Sequence, residues 1–271
     1  MLSTRDKENC EGQSDLYSFA VQSSIGDREE QQDSFGYLIG KNSMIFTVCD
    51  GMGGYQGGKQ ASRLAVKTVL ERYEKQTKIE EPIAFLQKTT KEADRAVASI
   101  QNDDGSPFVG GTTMVTVLLY KNYLYWNSVG DSRIYLLRSE KEYIQLTQDH
   151  NYRTVLDEQR RTGAISDAEY REKEKNANAL INYIGIGDLE LIDYNTAPFI
   201  LGENDRLLLT TDGLYKVLND REIAEIILNY TDTGEALTAL QLKLNRRAKL
   251  QHLAKDNITM ALINISNRGN E

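Results

Sequence analysis

The chain has 271 residues, 40% hydrophobic and 27% charged, with a net charge of −8. That length allows one large domain with a sizeable core, and the acidic balance, with no basic cluster interleaved with aromatics, argues against a nucleic-acid partner. No run approaches the ~20 apolar residues that span a bilayer, and the polar start MLSTRDKENCEGQSD has no apolar signal core, so a cytoplasmic protein with no membrane partner is expected.

Residues 1–14 read as a disordered tail. Tyr17–Gln22 opens an extended segment, and Phe35–Ile39 and Met44–Cys49 flank the turn Gly40-Lys41-Asn42-Ser43 as a hairpin. A glycine-rich loop covers 51–58. Lys59–Tyr73 carries Ala61, Leu64, Ala65 and Val69 at helical spacing. Pro82 suits the first turn of a second helix that continues over Ile83–Ile100, and a loop covers 101–110. Thr112–Tyr120, Tyr123–Val129 and Arg133–Arg138, joined by Lys121-Asn122 and Gly130-Asp131-Ser132, predict a β-meander. Residues 147–180 turn polar, charged and helical, with Asp167 as a helix cap, and read as an insertion. Strands resume at Leu191–Thr196 and Arg206–Thr211. Helices over Asp220–Tyr230 and Gly234–Leu250 precede a closing strand, Ile258–Ile265. The order lacks regular βαβ alternation, so the expectation is an α+β protein of antiparallel sheets covered by helices, one domain over 15–271.

Four aspartates stand at the mouths of apolar strands: Asp50 in VCDGMGG, Asp131 in VGDSR, Asp212 in LLLTTDGL and Asp256 in KDNIT. Any one alone is explained as a turn residue. Four together are better explained as oxygen ligands, because buried carboxylates are costly unless cations sit between them. Two histidines and two unlike cysteines, Cys10 and Cys49, give zinc poor ligands and leave Mg²⁺ or Mn²⁺. Cys49 is not a thiolate nucleophile: the next arginine is Arg63, too far on to close a phosphate loop. Gly53-x4-Gly58-Lys59 nearly matches a nucleotide-binding loop, but Gln60 stands where Ser or Thr must hold Mg²⁺. Arg28–Asp33 is either a solvated turn or a site where Arg28 forks a phosphoryl group and Asp33 holds a water on the metal.

Taken in order, Arg28–Asp33, Val48–Gly54, GGTT (110–113), VGDSR (129–133), TDG (211–213) and Asp256-Asn257 resemble the metal-dependent Ser/Thr protein phosphatases of the PPM family (2C-type), in their bacterial form. The resemblance implies a four-layer αββα sandwich of two antiparallel sheets flanked by helices, with 147–180 as a flap beside the active site. It implies that Asp50 bridges two Mn²⁺ or Mg²⁺ ions. The Gly51 carbonyl would join one ion, Asp212 and Asp256 would hold the other, and Asp131 with Asp212 would form a third, weaker site. Arg28 would bind the substrate phosphate.

The implied activity is hydrolysis of phosphoserine and phosphothreonine in proteins by a metal-activated water. The implied partners are a bacterial Ser/Thr kinase and its substrates, met by a monomer. The alternative is a catalytically weak, phosphatase-like regulatory binding protein. The chain departs from the family at Gln32 and Gln31, at Met52, where animal members carry a histidine proposed as general acid, and over 178–185, where Tyr183 stands near an expected arginine.

Overall fold

A computed structural model describes residues 9–54, 57–76, 78–102, 108–139 and 142–266. Residues 1–8 of the expected tail, 103–107 of the expected 101–110 loop, and Tyr55 and Gln56 of the glycine-rich loop lie outside the described residues.

The described chain begins with β1 (Asn9–Gln13), paired antiparallel to β2 (Tyr17–Ser24). The expectation of a disordered tail fails over 9–13. The backbone of this polar segment completes the open edge of β2, and ladder hydrogen bonds need no apolar side chains. β3 (Ser34–Ile39) and β4 (Ser43–Cys49) form the expected hairpin. A short β5 (Gly51–Met52) precedes α1 (Gly57–Glu74) and α2 (Pro82–Ala98). β6 (Gly111–Thr112) pairs with β5, and β7 (Met114–Tyr120) and β8 (Tyr123–Val129) make a second hairpin.

β9 (Arg133–Ser139) and β10 (Glu142–Gln145) make a third hairpin, and α3 (Tyr152–Arg161) and α4 (Asp167–Lys173) form the helical insert. The cap of α4 is Ser166, one residue before the expected Asp167. Its side chain accepts from the Glu169 N–H while the Glu169 carboxylate accepts from the Ser166 backbone. Asp167 instead sits in the first turn, facing the positive end of the helix dipole. The strand expected over 191–196 shrinks to β11 (Asp193–Tyr194), followed by β12 (Phe199–Ile200). The Asn195 side chain ends it by taking the ladder positions itself: Oδ1 accepts from Trp126 N–H at 2.8 Å and Nδ2 donates to the Leu124 carbonyl at 3.0 Å. β13 (Arg206–Thr210), α5 (Asp212–Tyr215), α6 (Asp220–Leu228), α7 (Thr233–Gln251) and β14 (Ile258–Ile265) complete the chain.

Beside the small β5-β6 pair, two six-stranded antiparallel sheets result among the described residues, in the orders β1-β2-β14-β13-β9-β10 and β11-β8-β7-β4-β3, with β12 also on β8. The predicted meander therefore stops after two strands. β9 pairs with β10 and β13 in the opposite sheet. Gly130 turns the chain at φ +95°, a left-handed conformation that glycine adopts without penalty. Gly130-Asp131-Ser132 is thus a crossing between sheets.

Alternation along the strands builds the layers. On β14, Ala261 and Ile263 pack between the sheets while Met260 and Leu262 pack with Ile223 of α6 and Leu240 of α7. On β4, Phe46 and Val48 face the other sheet while Ile45 and Cys49 pack with Ala65 of α1 and Val97 of α2. Covering both faces explains why these strands read as unbroken apolar runs. The architecture is the four-layer αββα sandwich.

Candidate metal centre

Antiparallel pairing brings the ends of β2, β4, β8 and β13 and the starts of β3, β7, β9 and β14 to one end of the sandwich. Asp50 follows β4, Asp131 lies in the crossing from β8 to β9, Asp212 follows β13 and Asp256 precedes β14. These four line one open cavity of about 1120 Å³, together with Gly51 and Arg28. Residues scattered over more than two hundred positions are gathered because the strands that carry them end side by side.

Hydroxyls and one amide fasten this end. Asp50 N–H donates to Thr113 Oγ1 at 3.0 Å, and the Asp50 carbonyl accepts from Thr113 N–H at 2.9 Å and Thr112 Oγ1 at 2.8 Å. Thr113 Oγ1 also meets Ser132 Oγ at 2.6 Å, tying the GGTT segment to the crossing. Gly51 has no room for a side chain: a Cβ there would lie 2.5 Å from the Gln32 carbonyl and closer still to that of Gly58. Asn257 Oδ1 accepts from Gln32 N–H at 2.8 Å, and its Nδ2 donates to the carbonyls of Ile25 at 2.9 Å and Glu30 at 3.0 Å. One side chain so brackets the loop that presents Arg28.

The carboxylates repel one another. The Asp50 carboxyl is pushed well above the ordinary range by burial, then by Asp33, Asp212, Asp131 and Asp256. Asp131 is pushed up to about 7 by burial and then Asp212, with Lys216 opposing. Asp33 is pushed up to about 7 by burial, against hydrogen bonds from Thr259 and Thr211, with Asp212 and Asp256 adding to the rise. Asp33 is not on the cavity wall. It is 6% exposed, and its Oδ2 accepts from Thr211 Oγ1 at 2.9 Å.

The donor set suits a hard divalent cation. Every candidate ligand is oxygen, and Asp33 Oδ1 and Asp212 Oδ1 are buried without a hydrogen-bond partner. Among the described residues no three Asp, Glu, His or Cys side chains converge closely enough to hold an ion as they stand. Two carboxylates are turned onto internal cations instead: Lys216 Nζ lies against Asp212 Oδ2, and Arg28 Nη2 sits 2.6 Å from Asp256 Oδ2. An ion between them would replace those two cations.

Sequence reasoning misses four supporting residues. Asn257 enters it only as half of a motif. Lys216 lies one helical turn after Asp212, a spacing that reads as an ordinary helical ion pair. Tyr215 O–H donates to the Asp131 carbonyl at 2.7 Å, and the Arg133 guanidinium lies 3.6 Å over the Tyr215 ring while forking Asp149 at 3.0 and 2.8 Å. The Tyr215 contacts have no local sequence signal, and the arginine is visible only as part of VGDSR. Met52 and Tyr183 both line the cavity.

Residues 40–258 match the family model of protein phosphatase 2C. The chain is 30% identical over 240 residues to the serine/threonine phosphatase stp of Listeria monocytogenes, covering 87% of this chain and 90% of that one. It is 28% identical over 243 residues to the protein phosphatase PhpP of Streptococcus pneumoniae, covering 88% and 93%. Among solved structures, the S. agalactiae serine/threonine phosphatase superposes with TM-score 0.75 at 26% identity, covering 91% of this chain and 98% of that chain. The catalytic domain of the phosphatase PstP, in complex with two manganese ions, shares the fold with TM-score 0.73 at 23% identity, covering 93% and 99%.

Proposed function

The chain belongs to the protein phosphatase 2C family, and on that footing we propose that it removes phosphate from phosphoserine and phosphothreonine in proteins with the help of Mn²⁺ or Mg²⁺. The observation that carries this reading is the convergence of Asp50, Asp131, Asp212 and Asp256 on one cavity with Arg28 at its wall. Asp50, the Gly51 carbonyl, Asp212 and Asp256 would hold two ions, and Asp131 with Asp212 a third. Divalent ions bound there supply a field that acidifies water and offsets the charge of a phosphoryl group.

The rest of the work belongs to the chain. Arg28, with a side chain 60% exposed, can leave Asp256 and fork two phosphoryl oxygens, holding the group in line for attack. Its planar donors would offset charge on the equatorial oxygens as the bond to the leaving alkoxide breaks. Asp33, behind the wall, accepts from Thr211, the residue before Asp212, and so would steady the turn that carries that ligand. Met52 carries no proton, so the leaving alkoxide would take one from a water or from another group at the cavity. No side chain is needed as a nucleophile, consistent with the burial of Cys49.

The finer reading is of a bacterial, cytoplasmic, monomeric enzyme, with a Ser/Thr kinase and its targets as partners. Among the described residues no helix is long and apolar enough to cross a membrane. The test is Asp212→Ala: turnover of p-nitrophenyl phosphate at saturating Mn²⁺ falls about a hundredfold or more while circular dichroism is unchanged. Near-normal turnover would remove the site. Absence of turnover in the unaltered protein, with binding of a phosphoprotein retained, would favour the regulatory reading.

A further inference from the structure

A second concavity, of about 460 Å³, runs along the outer side of α2. Lys88, Lys91 and Arg95 line it from the helix, and Ile192 and Tyr194 close it from the segment around β11. All three cations are exposed, and among the described residues none forms an ion pair. Among the described residues, two carboxylates line the groove. Glu92 is already neutralised by Arg72 at 2.7 Å, and Glu190 stands opposite. The groove is therefore net positive on a chain of net charge −8.

The same helix reaches the catalytic cavity from its other side. Asp94, 1% exposed, accepts the N–H groups of Gly185 at 2.8 Å, Gly187 at 3.1 Å and Leu189 at 3.3 Å. Gly185 lines the cavity, and Glu190 lines the groove. One loop, held by α2, thus contributes residues to both concavities.

We propose that this groove binds an acidic, extended segment of the phosphoprotein substrate while its phosphorylated residue occupies the cavity, an inference that rests on the phosphatase reading above. The spacing fits. From Lys88 to Arg95 the helix rises about 10 Å, and three carboxylates at alternate positions of an extended chain span about 13 Å. Exposed ion pairs are individually weak, so three acting together set preference among substrates without trapping product. The exposed ring of Tyr194 and Ile192 give the segment's apolar atoms a surface beside the charges.

The experiment compares two synthetic phosphothreonine peptides, identical except that one carries a distal run of six Glu residues and the other six Gln. Assays use Mn²⁺-loaded full-length protein and its K88E/K91E/R95E variant. Unaltered protein should show a kcat/KM roughly three- to tenfold higher for the Glu peptide, through KM, with the advantage shrinking as salt rises. The variant should lose or invert that advantage and hydrolyse p-nitrophenyl phosphate at the unaltered rate, which also certifies its fold. A K88A/K91A/R95A variant should lie between the two. Equal rates for both peptides with unaltered protein, or a preference retained by the charge-reversed variant, would overturn the groove while leaving the phosphatase intact. Loss of p-nitrophenyl phosphate turnover in both triple variants would assign the cations to support of the cavity and overturn it as well. No hydrolysis of any of the three substrates by unaltered protein would overturn the phosphatase reading, and the groove with it.

Discussion

Asp94 Oδ1 accepts the backbone N–H of Gly185 at 2.8 Å, joining the buried side of α2 to a residue of the cavity wall. The carboxylate also serves Gly187 and Leu189, so three loop donors depend on one buried side chain. Asp94→Ala leaves those donors unpaired and should cost about 2–4 kcal/mol, read as a lower urea midpoint. Because the wall moves and the metal ligands do not, KM for a phosphopeptide should rise while kcat on p-nitrophenyl phosphate changes little. Asp94→Asn, which keeps an acceptor, should recover part of both losses.

The acidic cavity makes a prediction in the opposite direction for stability. Asp50 is crowded by burial and by four other carboxylates. Asp50→Asn removes that repulsion, so in chelator the variant should melt higher than the unaltered protein. In saturating Mn²⁺ the order should reverse, since ion binding stabilises only the form that can bind. Turnover should be lost. Thermal melts with EDTA and with Mn²⁺, side by side, decide it.

pH should act on the metal-free protein through Asp33 and Asp131, both raised from 3.8 to about 7 with burial as the leading cause. A raised carboxyl binds its proton more tightly folded than unfolded. Its contribution to stability is therefore complete below the ordinary value and is lost as pH climbs to about 7. Urea midpoints in EDTA should fall between pH 5 and pH 8 and then level off, and Asp131→Asn should flatten part of that slope.

Gly51 tests backbone approach. Its missing Cβ would collide with backbone carbonyls of Gln32 and Gly58, which no rotamer change can relieve. Gly51→Ala should destabilise by about 1–3 kcal/mol and abolish Mn²⁺-dependent turnover, measured by urea unfolding and by assay on the same preparation.

Cys49 is fully buried and its thiol is pushed up, chiefly by burial. Iodoacetamide at pH 8 should leave Cys49 unmodified and activity unchanged, with peptide mass spectrometry finding label only at Cys10. Loss of activity on labelling Cys49 would revive a thiolate mechanism.

Some of this was written locally in the chain. β3, β4, α1, α2 and β14 were legible from alternation, helical spacing and one well-placed proline, because those signals depend on neighbours a few residues away. The aspartates were legible as a set because a carboxylate at the mouth of an apolar strand is anomalous wherever that strand goes. β1 was hidden because its strand character comes from the open edge of β2, and the crossing at Gly130-Asp131-Ser132 looked like a hairpin turn because nothing local states which sheet the next strand joins. Asn257, Tyr215 and the placing of Asp33 behind the wall were decided only by the fold. Their roles are contacts between segments up to some two hundred residues apart, and such distances close only when antiparallel sheets bring the ends of distant strands together.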